Sequence, residues 1–133
     1  MNSQISRETR PCLLIDLKKN RIRIHKNTLH MLGDPDYIQF LVNPADRFIV
    51  IRRSIKNDFL SHRVRWNMIS GKKCCDFYSY FLLKSLRDVN YDWEENRSYR
   101  IYGKVHEKER LAQFSMRESF DIDETAANPR EMP

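Results

Sequence analysis

Five cations crowd one short stretch of this chain: Lys18, Lys19, Arg21, Arg23 and Lys26. Arg21 and Arg23 alternate with Ile22 and Ile24, which is the period of an extended strand. If the isoleucines are buried, the two arginines project together to solvent on the opposite face. Such a face can lie along phosphates or enter a major groove, as two-stranded readers do. Arg52 and Arg53 close a later apolar run and join the candidate set, with Arg47 and Lys56 beside them. Arg63, Arg65, Lys72 and Lys73 form a second basic group. The plain alternative is that exposed strand faces must be polar, and that Lys and Arg guard sheet edges.

Other chemistry is harder to find in these residues. His25, His30, His62 and His106 are scattered, with no HxxxH or HExxH spacing. Cys12, Cys74 and Cys75 form no CxxC, and an odd count does not make a disulfide framework. Cys75 falls in phase with Phe77, which points to a buried thiol rather than a nucleophile. Asp34/Asp36 and Glu94/Glu95 lie in turn-like segments and read as solvated charge rather than an acid/base pair. With three glycines in the chain, no Gly-rich phosphate loop is present. We therefore expect no catalytic residue, no metal site and no cofactor, and read the chain as a binding protein rather than an enzyme.

A second candidate surface is aromatic. Tyr78, Tyr80, Phe81, Tyr91, Trp93, Tyr99 and Tyr102 cluster in the later half. They could stack single-stranded bases or anchor a protein. Burial habits assign about two-thirds of them to the core. Trp66, Tyr91 and Trp93 are the candidate protein-binding anchors.

The elements that must position these groups come in a repeated order. Cys12 to Ile15 reads as a strand and Arg21 to His25 as another. A short helix comes next, capped by Asn27 or Thr28 and ended by Gly33. Tyr37 to Val42 and Phe48 to Ile51 form a hairpin across Asn43-Pro44-Ala45-Asp46. The pattern then recurs: Cys75 and Phe77 alternate, Ser79 caps a helix from Tyr80 to about Asp88, and Ser98 to Val105 and Leu111 to Met116 make a second hairpin. An offset of 63 positions carries Ile38 to Ile101, Val42 to Val105 and Arg47 to Arg110. An offset of 54 carries Leu29 to Leu83 and Leu32 to Leu86. This predicts a mainly β protein with short helices (α+β), a pseudo-twofold barrel of two strand–helix–hairpin units. The expected segments are a flexible start (1–10), the first unit (11–54), a connector (55–73) with one short strand around Arg63 to Trp66, the second unit (74–122) and a flexible acidic tail (123–133).

Composition sets the broad class. The 133 residues are 41% hydrophobic, enough for a folded core, and 24 Lys+Arg against 18 Asp+Glu leave a net charge of +6. No secretory signal or membrane-length apolar run occurs, so a cytoplasmic protein without membrane contact is expected.

The stretch from Arg21 to Gly33, followed by Tyr37–Val42 and Phe48–Ile51, resembles the AbrB-type swapped-hairpin unit, which runs R-I-x-I-P-K, then a short helix ending L-G, then a hairpin. The tandem arrangement is similar to MraZ-type proteins. His25 stands where that unit usually has proline, and Asp34-Pro35-Asp36 replaces its usual link. The resemblance implies a strand-swapped barrel and DNA binding in transcription regulation, with Arg21, Arg23 and Lys26 at the matching positions. Together with the basic pattern, the expected DNA contacts are Lys18, Lys19, Arg21, Arg23, Lys26, Arg52 and Arg53. The rival reading is a phage- or mobile-element-encoded inhibitor or adaptor, anti-CRISPR-like, that occupies a protein partner such as a nuclease. A homodimer fits either.

Overall fold

The computed structural model describes residues 10–122. The acidic tail 123–133 and all but the last residue of the 1–10 segment lie outside them. The chain forms β1 (Cys12–Asp16), β2 (Arg21–His25), α1 (Lys26–Met31), β3 (Tyr37–Asn43), β4 (Phe48–Ser54), β5 (Ser61–Arg63), β6 (Cys74–Tyr78), α2 (Tyr80–Val89), β7 (Ser98–His106), β8 (Leu111–Ser115) and β9 (Phe120–Asp121). Eight strands run in the order β5-β3-β4-β8-β7-β1-β2-β6, and β9 adds to β7. The result is a mainly β, nearly closed antiparallel barrel with two short helices.

Alternation decides which side chains fill it. Leu13, Ile15, Ile22, Ile24, Ile38, Ile49, Ile51, Ile101, Ala112 and Phe114 are fully buried, and each lies two positions from an inward neighbour or strand end. Leu29 and Leu32 of α1 and Leu83 and Leu86 of α2 are also fully buried. β2 and β6 pair antiparallel, with Arg23 opposite Asp76. Because a helix comes directly after each of these strands, α1 and α2 sit at opposite ends of their ladder.

The repeat goes further than the sequence pattern indicates. The two hairpin turns, residues 44–47 and 107–110, both finish on an arginine in the left-handed region: Arg47 at φ 59° and Arg110 at φ 55°. The hairpins bond each other reciprocally. Arg53 N–H donates to Arg110 O (3.4 Å) and Met116 N–H donates to Arg47 O (2.8 Å), pairs exchanged by the same 63-position offset. The 55–73 connector supplies β5, whose His62 lies opposite Ile38 as Leu13 of β1 lies opposite Ile101. Each copy is thus strand, strand, helix, hairpin. The strand of this connector ends at Arg63 rather than beginning there, and Trp66–Met68 is a 3-10 turn. β1 pairs with both β2 and β7, whereas among the described residues β5, three residues long, pairs only with β3. This leaves a seam between β5 and β6, bridged by Phe40, His62 and Phe77 in edge-to-face contact.

Local capping departs from expectation in one helix. α1 is capped by His25, whose Nδ1 accepts from Asn27 N–H (3.2 Å), not by Asn27 or Thr28. Thr28 is buried, and its Oγ1 instead accepts from Cys12 N–H (3.1 Å), tying α1 to β1. Ser79 caps α2 as expected. Gly33 takes φ +87° just past α1, where a left-handed residue is needed. Gly103 is required for close approach: a Cβ there would run into the Gln113 carbonyl and the Phe114 ring.

Candidate nucleic-acid interface

The seven cations read from the sequence as one DNA-contacting set are not brought together. Lys18, Lys19 and Arg21 lie at the α2 end of β1 and β2. Lys26 and Arg53 lie at the α1 end. Arg52 is exposed on the outer face of β4, its Nε donating to Gln39 Oε1 (2.9 Å).

Arg21 and Arg23 do not project freely to solvent. The β2·β6 register sets Asp76 beside both, and the β1–β2 turn sets Asp16 beside Arg21. Arg23 binds Asp76 through Nε (2.8 Å) and Nη2 (3.1 Å). Arg21 binds Asp16 through Nε (2.8 Å) and Asp76 through Nη1 (3.1 Å), and its side chain is only 14% exposed. The hydrogen bond from Arg23 holds the Asp76 carboxyl below its usual range against the opposing effect of burial. At Asp16 burial works against ionisation, but the Arg21 side chain and the Lys19 and Lys18 N–H groups outweigh it, and its carboxyl is also held low. The expected basic face is therefore a charge-compensated network, because its counter-charges arrive from other strands.

Uncompensated positive charge gathers instead around α1. Tyr37 lies opposite both Ser54 and Arg63, so β4 and β5 end where β3 begins. The chain after β5 then wraps α1. Val64 N–H donates to Asp36 O (2.8 Å), Trp66 Nε1 to Pro35 O (2.8 Å), Lys26 Nζ to Ile69 O (2.9 Å) and Lys26 N–H to Lys73 O (2.7 Å). This brings Arg63, Arg65, Lys72 and Lys73, all exposed, beside the helix. The 107–110 turn reaches the same end. The guanidiniums of Arg53 and Arg110 both overhang Gly33: a Cβ there would stand 3.0 Å from Arg53 Nη1 and collide with Arg110 Nη1. Among the described residues, neither arginine forms an ion pair. The acids at this end are Asp34, which is engaged by His30 Nδ1 (2.6 Å), together with Asp36, Glu107 and Glu109.

The α2 end is different. There Arg47 pairs with Asp92, Lys84 with Asp88, Arg87 with Glu95, and Arg97 with both Glu94 and Asp121. The end also carries exposed aromatics: Tyr78 (63%), Tyr80 (63%), Phe81 (68%) and Tyr91 (87%). Assigning about two-thirds of the aromatic set to the core is too many, since only Trp93 and Tyr99 are buried and Tyr102 is half-buried. Trp93 is not an exposed anchor. It is 8% exposed, stacked on Tyr99 (4.9 Å between centroids) and hydrogen-bonded to Ser119 Oγ (3.0 Å). Trp66 is half-buried against His30. Of the three candidate anchors only Tyr91 stands fully open.

Burial, then Asp76 and Cys74, push the Cys75 thiol up to about 11, and burial also raises Cys12 and Cys74. Among the described residues no three His, Cys, Asp or Glu side chains converge as a metal site, and no helix is long and apolar enough to cross a membrane. No protein-family model, no curated protein and no solved structure matches this chain.

Proposed function

We propose that this chain binds nucleic acid, duplex DNA in preference, through the α1 end of its barrel, and that it acts as a regulator by occupying DNA. The observation that carries the proposal is the convergence of Arg53 and Arg110 over Gly33 without a carboxylate partner among the described residues. Two adjacent guanidiniums repel each other unless an anion is shared between them, and the guanidinium fork matches phosphate oxygens. Arg63, Arg65, Lys72 and Lys73 extend the same charge along α1. The resemblance of residues 21–53 to the AbrB-type unit supports DNA over other polyanions.

The test is binding of a mixed-sequence duplex across a salt series. With about five phosphates contacted, affinity falls by on the order of hundreds-fold between about 50 and 200 mM salt. A salt slope near zero would contradict the proposal.

A protein-binding role is favoured by a separate surface, the exposed Tyr78, Tyr80, Phe81 and Tyr91 at the α2 end. Tight retention on one protein, abolished by Tyr80→Ala/Phe81→Ala and accompanied by no DNA affinity, would select this inhibitor or adaptor reading instead.

A further inference from the structure

A separate cleft of about 380 Å³ lies on the outer face of β1, β2, β6 and β7. Its position is set by strand register. Arg23 and Arg100 lie on either side of Leu14, and His25 lies opposite Cys74 and Tyr102 opposite Cys12. The short side chains Cys12, Leu14 and Cys74 leave a depression, and the long ones, Arg23, His25, Arg100, Tyr102 and Arg10, stand around it. Among the described residues no carboxylate lines it.

The donors around this cleft are only partly used. Arg23 gives Nε and Nη2 to Asp76, which leaves Nη1. Arg100 lines the cleft, and its Nε, covered by protein, finds no hydrogen-bond partner among the described residues, so a small turn of the guanidinium toward a bound anion would satisfy it. A buried donor left unmade is uncommon and calls for an explanation such as a missing ligand. His25 accepts at Nδ1 from the α1 backbone, so its neutral ring carries the proton on Nε2 and offers a further donor. The Arg10 guanidinium lies 4.4 Å over the Tyr102 ring, which fixes a third cation at the rim.

From this convergence we infer that the cleft is a phosphate-binding site, with Arg100 as its central ligand. A carboxylate would be satisfied by one guanidinium, whereas donors from several directions suit a tetrahedral, multiply charged oxyanion. The cleft is wider than a phosphate alone and leaves room for an ester group beside Tyr102. The phosphate is carried either by a small molecule or by the end of a nucleic-acid strand. Neither Arg53 nor Arg110 lines the cleft, so this site stands or falls independently of DNA binding at the α1 end.

The experiment monitors the arginine Nε–H resonances of the wild-type chain by NMR at constant ionic strength. The titrants are pyrophosphate, and an oligonucleotide with and without a 5′-phosphate. The Arg100 resonance is expected to shift saturably, whether or not those of Arg53 and Arg110 also respond to pyrophosphate. Response to pyrophosphate assigns a small phosphate ligand. Response confined to the 5′-phosphorylated oligonucleotide assigns a strand end. Arg100→Lys, which keeps the charge and loses the fork, is expected to weaken binding about tenfold or more. Arg53→Ala/Arg110→Ala is expected to leave it unchanged. No saturable shift at Arg100 with any titrant, or full affinity in Arg100→Lys, overturns the site.

Discussion

Arg47 and Arg110 occupy the same place in the two copies, the last, left-handed residue of a hairpin turn, and each reaches the helix of the opposite copy. Arg47 meets the end of α2, where Nε and Nη2 bind Asn90 Oδ1 (3.0 and 2.6 Å) and Nη2 binds Asp92 (2.8 Å). Arg110 meets the end of α1, where it finds Gly33 and a second arginine. One backbone plan thus carries a tethered guanidinium at one end and an open one at the other. The difference lies in the residues just past each helix: Asn90 and Asp92 offer acceptors to Arg47 after α2, whereas after α1 Gly33 offers no side chain and Asp34 is engaged by His30. Stability belongs to the first arrangement, and the proposed ligand binding to the second.

The comparison can be broken by substitution. The largest stability effect is expected at the charge network that replaces the basic face. Asp76→Ala leaves Arg21 and Arg23 partly buried beside each other, and unfolding free energy is expected to drop by about 2–3 kcal/mol. A urea midpoint equal to wild type would show that the network is incidental. Next is Arg47→Ala, which removes its bonds to Asn90 and Asp92, for about 1–2 kcal/mol. Arg110→Ala, by contrast, is expected to stay within about 0.5 kcal/mol of wild type in the same measurement. Equal losses at the two positions would erase the distinction drawn between them.

Acid should act in two stages. Burial holds the His62 imidazole, and burial with Lys73 the His25 imidazole, below the usual histidine value. Both are therefore neutral in the folded state where the unfolded chain begins to take up protons. Stability is expected to fall first as pH drops through about 6.5. Asp16 and Asp76 are also held below their usual value, so their contribution is present above about 3.9 and lost as pH falls below it. His62→Leu, matching Leu13 in the other copy, should remove part of the first stage in pH-dependent melts. A first stage of undiminished size in that variant would exclude His62 as its source. The smallest effect is expected for Tyr91→Ala, within about 0.5 kcal/mol, since the ring is almost wholly exposed.

Much of the fold is legible in the sequence because its signals are local. The alternation of Ile22 and Ile24, the Leu29/Leu32 and Leu83/Leu86 pairs and the 63-position offset all mark elements that exist. β5 is obscure because Ser61-His62-Arg63 is polar and too short to show a period. The His25 cap escapes sequence reasoning because serine, threonine, aspartate and asparagine are the common caps. The site is much less legible, since its meaning depends on pairing across the chain. Asp76 stands in the sequence 53 positions from Arg23, and only the antiparallel β2·β6 register makes it a counter-ion. Likewise Arg53 and Arg110 meet only because the two hairpins pair with each other through β4 and β8. Tyr78, Tyr80 and Phe81 are apolar enough by residue type to suggest burial, although they fall at a strand end and on the outer side of α2.

The α1 end, not the β2 strand face, is the proposed DNA-binding surface. The direct measurement is the salt slope of duplex binding for Arg53→Ala/Arg110→Ala beside Arg21→Ala/Arg23→Ala, each with its fold checked by thermal melting. The first pair is expected to lower the slope by about 2 and weaken binding on the order of tenfold, while the second leaves the slope unchanged. The reverse result, with the slope lost in Arg21→Ala/Arg23→Ala and kept in Arg53→Ala/Arg110→Ala, would contradict the claim.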